Sequence, residues 1–351
     1  MTNEAWSLAH AKLHTFLRKR ILLPRNSRIL MAVSGGQDSL CLARLLLDMR
    51  RKWEWSLAIA HCDHRWRSDS TENAAYVAKL AQQWKIPCWV EMAQTPVASE
   101  AAARAWRYGT FGRLAKEQKY THVVTGHTGS DRAETVLYNL IRGTGLDGLG
   151  TLQWERRLSD RHPSIQLVRP LLGFSREETG EFCEQQNIQP WEDSSNQSLS
   201  FRRNRIRLEL LPYLKEHFNP QVERSLTRMA ETVEMDMHYI EEQAGALYME
   251  SVSRRSHLDK PIAELSLRSS AEHDFYWEIN QSALQSAPAA LQRRVIKRLL
   301  QEALPKPPSF LHIEKLAALI NAPNRTKSDP FPGSFIAEVR KPAIVLYASH
   351  K

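Results

Sequence analysis

Four cysteines, Cys41, Cys62, Cys88 and Cys183, are all that the 351-residue chain contains, and no two stand at C-x-x-C spacing. That scarcity argues against a zinc site, an iron–sulfur site or a disulfide framework. It leaves reduced, mostly buried thiols of a cytoplasmic protein as the expectation. No apolar stretch reaches the roughly 20 residues that a membrane-spanning helix needs. The first residues lack the apolar core and cleavage site of a signal peptide. Trp6, Leu8, Leu13, Phe16 and Leu17, set among polar residues, read instead as an amphipathic helix covering the first domain. There is no internal repeat and no low-complexity tract.

What is present is ordinary for a globular protein of one to three domains: 42% hydrophobic and 25% charged residues. The net charge of +9 is unevenly spread. Residues Met229 to Gln281 hold eleven acids and four bases, net −7, so the remainder carries +16. A basic body with one acidic segment points to a large polyanionic partner; a merely soluble basic protein is the alternative.

The most informative run is Ser34-Gly35-Gly36-Gln37-Asp38-Ser39. It follows the apolar Ile29–Val33 and precedes the apolar Leu40–Leu47, so the order is strand, glycine turn, helix. Backbone N–H groups and the positive end of a helix then converge on one spot, which suits a phosphate. Ser34 and Ser39 add hydroxyl donors. No lysine follows Gly36, which excludes the usual G-x-x-x-x-G-K-[ST] loop. The spacing S-G-G-x-D-S resembles the pyrophosphatase-type loop of ATP-dependent adenylating enzymes. Asp38 would repel a phosphate unless it works through Mg²⁺ or an amine.

Strands are expected at Ile29–Val33, Leu57–His61, Cys88–Met92, His122–Thr125 and Gln166–Val168. Helices are expected at Leu40–Trp53, Thr71–Lys85, Glu100–Gln118, Arg132–Ile141 and Arg176–Gln186. The alternation means an α/β fold with a doubly wound parallel sheet, whose ligands bind beyond the carboxyl ends of the strands. Ser34, His61 and Gly126 lie at such ends. After Phe218-Asn219-Pro220 the alternation stops, and the domain boundary is expected near Pro220. Long helices are expected at Val222–Tyr248 and Ser286–Ala303, a shorter one at His312–Asn321, and a terminal hairpin over Phe331–Ala348.

Four further constellations stand out. Ala60–Arg67 places His61, His64, Arg65 and Arg67 at a strand end; its backbone would hold adenine and its bases phosphate. Two histidines alone do not make a metal site. In Glu100–Tyr108, Arg104 and Arg107 share a helix face, either as a solvated surface or as a cationic wall for phosphate. In Thr125–Thr135, Asp131 and Glu134 lie on the first turn of a helix, where they either cap it or hold a cation. Finally, Asp193–Asn196 precedes Arg202, Arg203, Arg205 and Arg207. Arginine forks suit phosphates and base edges, and Phe201 among them could stack on an unpaired base.

In this order, S-G-G-Q-D-S, H-x-D-H-x-x-R, A-R-x-x-R-Y, G-H-x-x-x-D-x-x-E-T, R-G-T-G-L-x-G-L, V-R-P-L-L and R-R-N-R-I-R resemble the tRNA(Ile)-lysidine synthetases, from about Arg28 to Pro220. The resemblance implies a sheet of the adenine-nucleotide α-hydrolase (PP-loop) type in an ATP-binding catalytic domain, residues 1–218. A mainly helical tRNA-contacting domain, residues 219–351, would follow. The implied partners are a CAU-anticodon tRNA(Ile) and free L-lysine in the cytoplasm, with ATP and Mg²⁺. The reaction would adenylate the wobble cytidine at its C2 oxygen and replace AMP by the lysine ε-amine.

By the same resemblance Asp38, Asp131, Arg104 and Arg205 would be catalytic. Ser34, Gly35, Gly36, Gln37, Asp38, Ser39, His61 and His127 would bind ATP. Asp38, Asp131 and Glu134 would bind lysine, and Arg202, Arg203, Arg205 and Arg207 the tRNA. Many members have a second histidine and a further aspartate where this chain has Thr128 and Ser130, which leaves the metal ligands unassigned. The oligomeric state stays open, a homodimer included. A tRNA thiolase with the same loop, or a non-catalytic tRNA-binding protein, are the rival readings. Scattered cysteines argue against the first and an intact loop against the second.

Overall fold

The computed structural model describes residues 6–65, 69–95, 99–191, 198–256 and 275–348. Trp66 and Arg67 of the second constellation and the Asp193–Asn196 stretch lie outside them. The chain divides into two compact units, Met1–Glu234 and Met235–Lys351. The division falls inside a helix rather than at the Pro220 break, because the first turns of that helix complete the packing of the first unit.

In the first unit the elements run α1 (Leu8–Lys19), β1 (Arg28–Ala32), α2 (Gln37–Trp53), β2 (Ser56–Asp63), α3 (Ser70–Trp84), β3 (Cys88–Met92), α4 (Glu100–Glu117), β4 (His122–Thr125), α5 (Gly129–Ile141), α6 (Leu146–Leu149), β5 (Glu155–Ser159), β6 (His162–Val168), α7 (Arg176–Gln185), α8 (Arg202–Arg205), a π-helical turn over Ile206–Leu210, α9 (Leu211–His217) and the start of α10 (Val222–Ser251). The six strands lie in the order β3-β2-β1-β4-β6-β5, parallel except for β5. Every residue of β1 from Ile29 to Met31 is buried, as a strand covered on both faces requires. Leu13 and Leu17 of α1 are buried in the core against Leu40, Leu45 and Leu46 of α2, so the amphipathic N-terminal helix covers this unit as its pattern demands.

The chain leaves β1 toward β2 and β3, then returns through α4 to β4 on the other side of β1. The winding therefore reverses between β1 and β4, and a crevice opens beyond their carboxyl ends. Ser34 and Gly126 stand at its two lips. A Cβ on Gly126 would lie 2.8 Å from the backbone C and O of Asp38; only glycine lets β4 end against the start of α2.

The second unit holds the rest of α10, then β7 (Val252–Ser256), β8 (Phe275–Asn280), α11 (Gln281–Ser286), α12 (Ala289–Ala303), α13 (Phe310–Ala317) with a 3₁₀ turn over Ala318–Asn321, β9 (Phe335–Arg340) and β10 (Ala343–Ala348). The terminal hairpin is half of a four-stranded antiparallel sheet, β7-β8-β10-β9. Val295, Ile296, Leu299 and Leu300 form the buried face of α12 and share a core with Trp277, Val339 and Leu346. This unit is thus mainly helical among the described residues, with a small antiparallel sheet added. No described helix is long and apolar enough to cross a membrane.

Candidate active site

The loop after β1 is held by its own serines. Ser34 N–H donates to Ser39 Oγ at 3.1 Å, Gly36 N–H to Ser34 Oγ at 3.3 Å, and Ser39 Oγ–H to the Gly36 carbonyl at 2.8 Å. Gly35 sits at φ +89°, a conformation that suits glycine, and a Cβ there would be 2.3 Å from Asn73 Oδ1. Asn73 Nδ2 in turn donates to the Ser34 carbonyl at 3.0 Å. The α2 N-cap, Gly36, makes no side-chain capping bond. The N–H groups of Gln37, Asp38 and Ser39 have no acceptor within the helix, which is the arrangement that receives a phosphate.

The Gln37 side chain does not face that phosphate position. Its amide donates to the Arg176 carbonyl at 2.6 Å and to Thr179 Oγ1 at 2.8 Å, fixing α7 to the loop. Thr179 Oγ1–H in turn donates to Asp38 Oδ1 at 2.5 Å, and the Arg176 guanidinium stands 3.8 Å from the same carboxylate. Burial, and then the charge of Asp131, nevertheless push Asp38 up to about 6; Thr179, Arg176 and Arg207 only partly offset them.

Asp131 lies across the crevice in a capping box. Its Oδ2 accepts from Thr128 N–H at 2.8 Å and Thr128 Oγ1–H at 3.1 Å. Burial alone would raise this carboxyl. Arg203 first, with the Thr128 amide and Arg207, outweighs burial and holds it below its ordinary value. Two neighbouring acids are thus driven apart, one readily protonated and the other firmly ionised.

Glu134, one turn on and 1% exposed in its side chain, meets the arginine run. Arg207 Nε reaches Oε1 at 2.6 Å, and Arg203 Nε and Arg207 Nη2 reach Oε2 at 3.0 Å each. The same two arginines touch Asp131 Oδ1 at 3.2 and 3.4 Å. Both Glu134 oxygens are therefore engaged, which makes this residue the anchor of the arginine pair. Arg203 and Arg207 are four apart and share the inward face of the helix. Arg205 faces the other way, exposed and paired with Glu209 at 3.0 Å, with Arg202 exposed nearby. The arginines beside the acids are accordingly Arg203 and Arg207, and Arg205 stands on the opposite side of this helix.

His61 is buried and its Nδ1–H donates to the Val33 carbonyl at 2.8 Å, tying β2 to the loop. His127, beside Thr125 Oγ1 at 2.8 Å, is pushed down to about 3 by burial, with Arg169, Arg203 and Arg104 adding to the shift and Asp131 opposing it. It is a neutral imidazole at pH 7, able to donate or accept without adding charge. Arg104 is exposed and lies over the Tyr108 ring at 5.1 Å; Arg107 is half-buried. Ser130, at one of the divergent positions, donates to Glu223 Oε2 at 2.8 Å and accepts from Arg176 N–H at 3.2 Å. Thr128 caps α5. Both hydroxyls serve packing. Among the described residues no group of three or more His, Cys, Asp or Glu could hold a metal ion.

Sequence reasoning missed Asn73, Arg176 and Thr179. Asn73 had a faint signal, an amide one turn before Tyr76 and Val77 on the inward face of α3. Thr179 had none, standing 141 residues from the acid that it serves.

Residues 7–214 match the PP-loop domain family, and residues 280–341 the TilS substrate binding domain. Curated relatives span nearly the whole chain. The tRNA(Ile)-lysidine synthase of Nostoc sp. is 50% identical over 341 residues, 97% of each chain. That of Synechocystis sp. is 46% identical over 339 residues, 95% of this chain and 96% of its own. Among solved structures, the U34-tRNA thiolase NcsA from Methanococcus maripaludis, with its [4Fe-4S] cluster, aligns over 65% of this chain and 78% of its own at a TM-score of 0.54. Its identity of 19% makes that a likeness of fold alone.

Proposed function

The chain belongs to the tRNA(Ile)-lysidine synthase family, and on that footing we propose that it ligates free lysine to C2 of the wobble cytidine in a CAU-anticodon tRNA(Ile). The observation that carries the reading is the meeting of Asp38 and Asp131 beside the open first-turn amides of α2. A triphosphate needs such amides and an ammonium needs such acids.

The cytidine C2 oxygen attacks the α-phosphorus of ATP and pyrophosphate leaves. The lysine ε-amine then attacks C2, the C–O bond breaks and AMP departs with the oxygen. The first-turn amides of α2, with the Ser34 and Ser39 hydroxyls, would cradle the phosphates. Arg104, near enough for its charge to act on His127, would stabilise the charge that builds on the phosphate. Neutral His127 would approach the nucleotide without disturbing that balance. Lysine arrives protonated, since a free ε-amine has a pKa of about 10.4. Ionised Asp131 would hold the ammonium, and Asp38, at about 6, is the better proton acceptor of the pair.

Mg²⁺ binding of the usual kind needs only one or two carboxylates, phosphate oxygens and water, and Asp38 and Asp131 would supply those carboxylates. Bound there, the ion would neutralise charge on the departing pyrophosphate. The second unit, which carries the TilS substrate binding match, would contact the tRNA body, and the reaction would take place in the cytoplasm. The test is direct: purified protein, a CAU-anticodon tRNA transcript, ATP and labelled lysine. Label entering the RNA with lysine-dependent AMP release is expected; no transfer under any condition would overturn the reading.

A further inference from the structure

The outward face of the arginine helix borders a cavity of about 660 Å³ between the end of α5 and the α8–α9 segment, within the first unit. Tyr138, Ile141 and Tyr213 supply apolar wall, and Arg142, Arg202 and Arg205 its cationic border. The volume falls in the range of small-ligand pockets, roughly 300–1,000 Å³. Ile206 and Leu210 complete the apolar part of the lining, and Glu209 is its one acid. Ile141 and Tyr213 are exposed at 67% and 54%, more than a fold needs of its large apolar groups. The Arg142 guanidinium lies over the Tyr138 ring at 5.3 Å, and the Tyr213 ring packs against His217 and Phe218 at 4.5 and 5.9 Å. Among the described residues no carboxylate pairs with Arg142 or Arg202.

From this we infer that the cavity is a stacking pocket for an unpaired nucleobase of the RNA, a second nucleotide distinct from the one that reacts. The inference rests on the RNA-modifying reading above. An apolar surface bearing two tyrosines fits the face of a base, and the arginines at its border fit the flanking phosphates. A protein-binding groove would not need three arginines against one acid. The Arg203/Arg207 face meets the catalytic acids while the Arg202/Arg205 face meets this pocket. One short helix therefore addresses neighbouring nucleotides from its two sides. The polar edges are too few to read base identity, so the pocket grips by stacking and accepts any base. It would pull one loop nucleotide out of the stack and leave the adjacent cytidine free to enter the crevice.

The test uses the full chain with a CAU anticodon stem–loop carrying 2-aminopurine at each loop position beside the cytidine in turn. Quenching at one position on binding is expected. Tyr213→Ala should abolish that quench and weaken binding about 5- to 150-fold, the range for one base–aromatic stack. Tyr213→Phe should keep both. For lysine transfer, Tyr213→Ala should raise KM for RNA, and Tyr213→Phe should restore it. Unquenched probe together with wild-type affinity in Tyr213→Ala would overturn the pocket even where lysine transfer proceeds. Absence of transfer by the wild type would instead strike the catalytic reading, and the quench on a single-stranded oligonucleotide would still decide the pocket. Self-association lost in Tyr213→Ala, without any quench, would reassign the groove to a second copy of the chain.

Discussion

Asp38→Asn should stabilise the protein and disable it. Asp38 rises from 3.8 to about 6 on folding. The folded state therefore holds this proton more tightly than the unfolded one. The stability it confers is fully present below pH 3.8 and is lost as the pH climbs through 6. Two units at about 1.4 kcal/mol each make a full span of about 3 kcal/mol. Between pH 5 and pH 8 the share is about 1.4 kcal/mol by the linkage relation. Asparagine is neutral throughout and keeps an oxygen to accept from Thr179. The variant should thus gain about 1.4 kcal/mol on the wild type between those two pH values. Urea unfolding at both, followed by tryptophan fluorescence, reads the difference, and groups common to both proteins cancel. Lysine transfer should fall about 10²- to 10⁴-fold with the proton acceptor gone. A stability gap that does not change with pH would refute the reasoning, because an acid destabilised by burial and by Asp131 must show it there.

Other outcomes follow from the same geometry. Lysine affinity, measured by calorimetry in the presence of ATP, should weaken as the pH drops below about 6, where Asp38 loses its charge; constant affinity from pH 5 to pH 8 would contradict that role. Glu134→Gln leaves Arg203 and Arg207 short of one buried negative charge and should cost about 3–5 kcal/mol in urea unfolding; a change below about 1 kcal/mol would mean that water replaces the carboxylate. Gly126→Ala forces a methyl to within 2.8 Å of the Asp38 backbone and should cost about 1–3 kcal/mol while raising KM for ATP. Removing Arg202 or Arg205 should lower the slope of log K against log salt for RNA binding by about 0.7 each; an unchanged slope in filter binding would place phosphate elsewhere.

What could be read from sequence was local. Strand, glycine turn and helix around Ser34 are neighbours along the chain, and their chemistry follows from spacing. So does the capping arrangement of Thr128 and Asp131. The arginine run could be read for density but not for phase. Which of Arg202, Arg203, Arg205 and Arg207 faces the acids depends on how α8 and its π-helical continuation are rotated against α5, and Ile206 sets that by burying itself beside Leu137 and Leu211. The Gln37–Thr179–Asp38 relay joins segments some 140 residues apart, so nothing nearby announces it. β7 and β8 escaped for the same reason: Val252–Ser256 carries two adjacent arginines and becomes a strand through its pairing with Phe275–Asn280.

That relay has a consequence for the order in which the protein comes to life. A chain is made from its N-terminus, so the phosphate loop is complete long before its hydroxyl partner at Thr179, and longer still before Arg203 and Arg207. Until those residues arrive, Asp38 has no donor and Asp131 and Glu134 have no counter-charge. A growing chain, or one cut short before α8, carries the whole S-G-G-Q-D-S signature and yet no working pair of acids. The two acids therefore gain their partners in stages, Thr179 first and the arginine pair last.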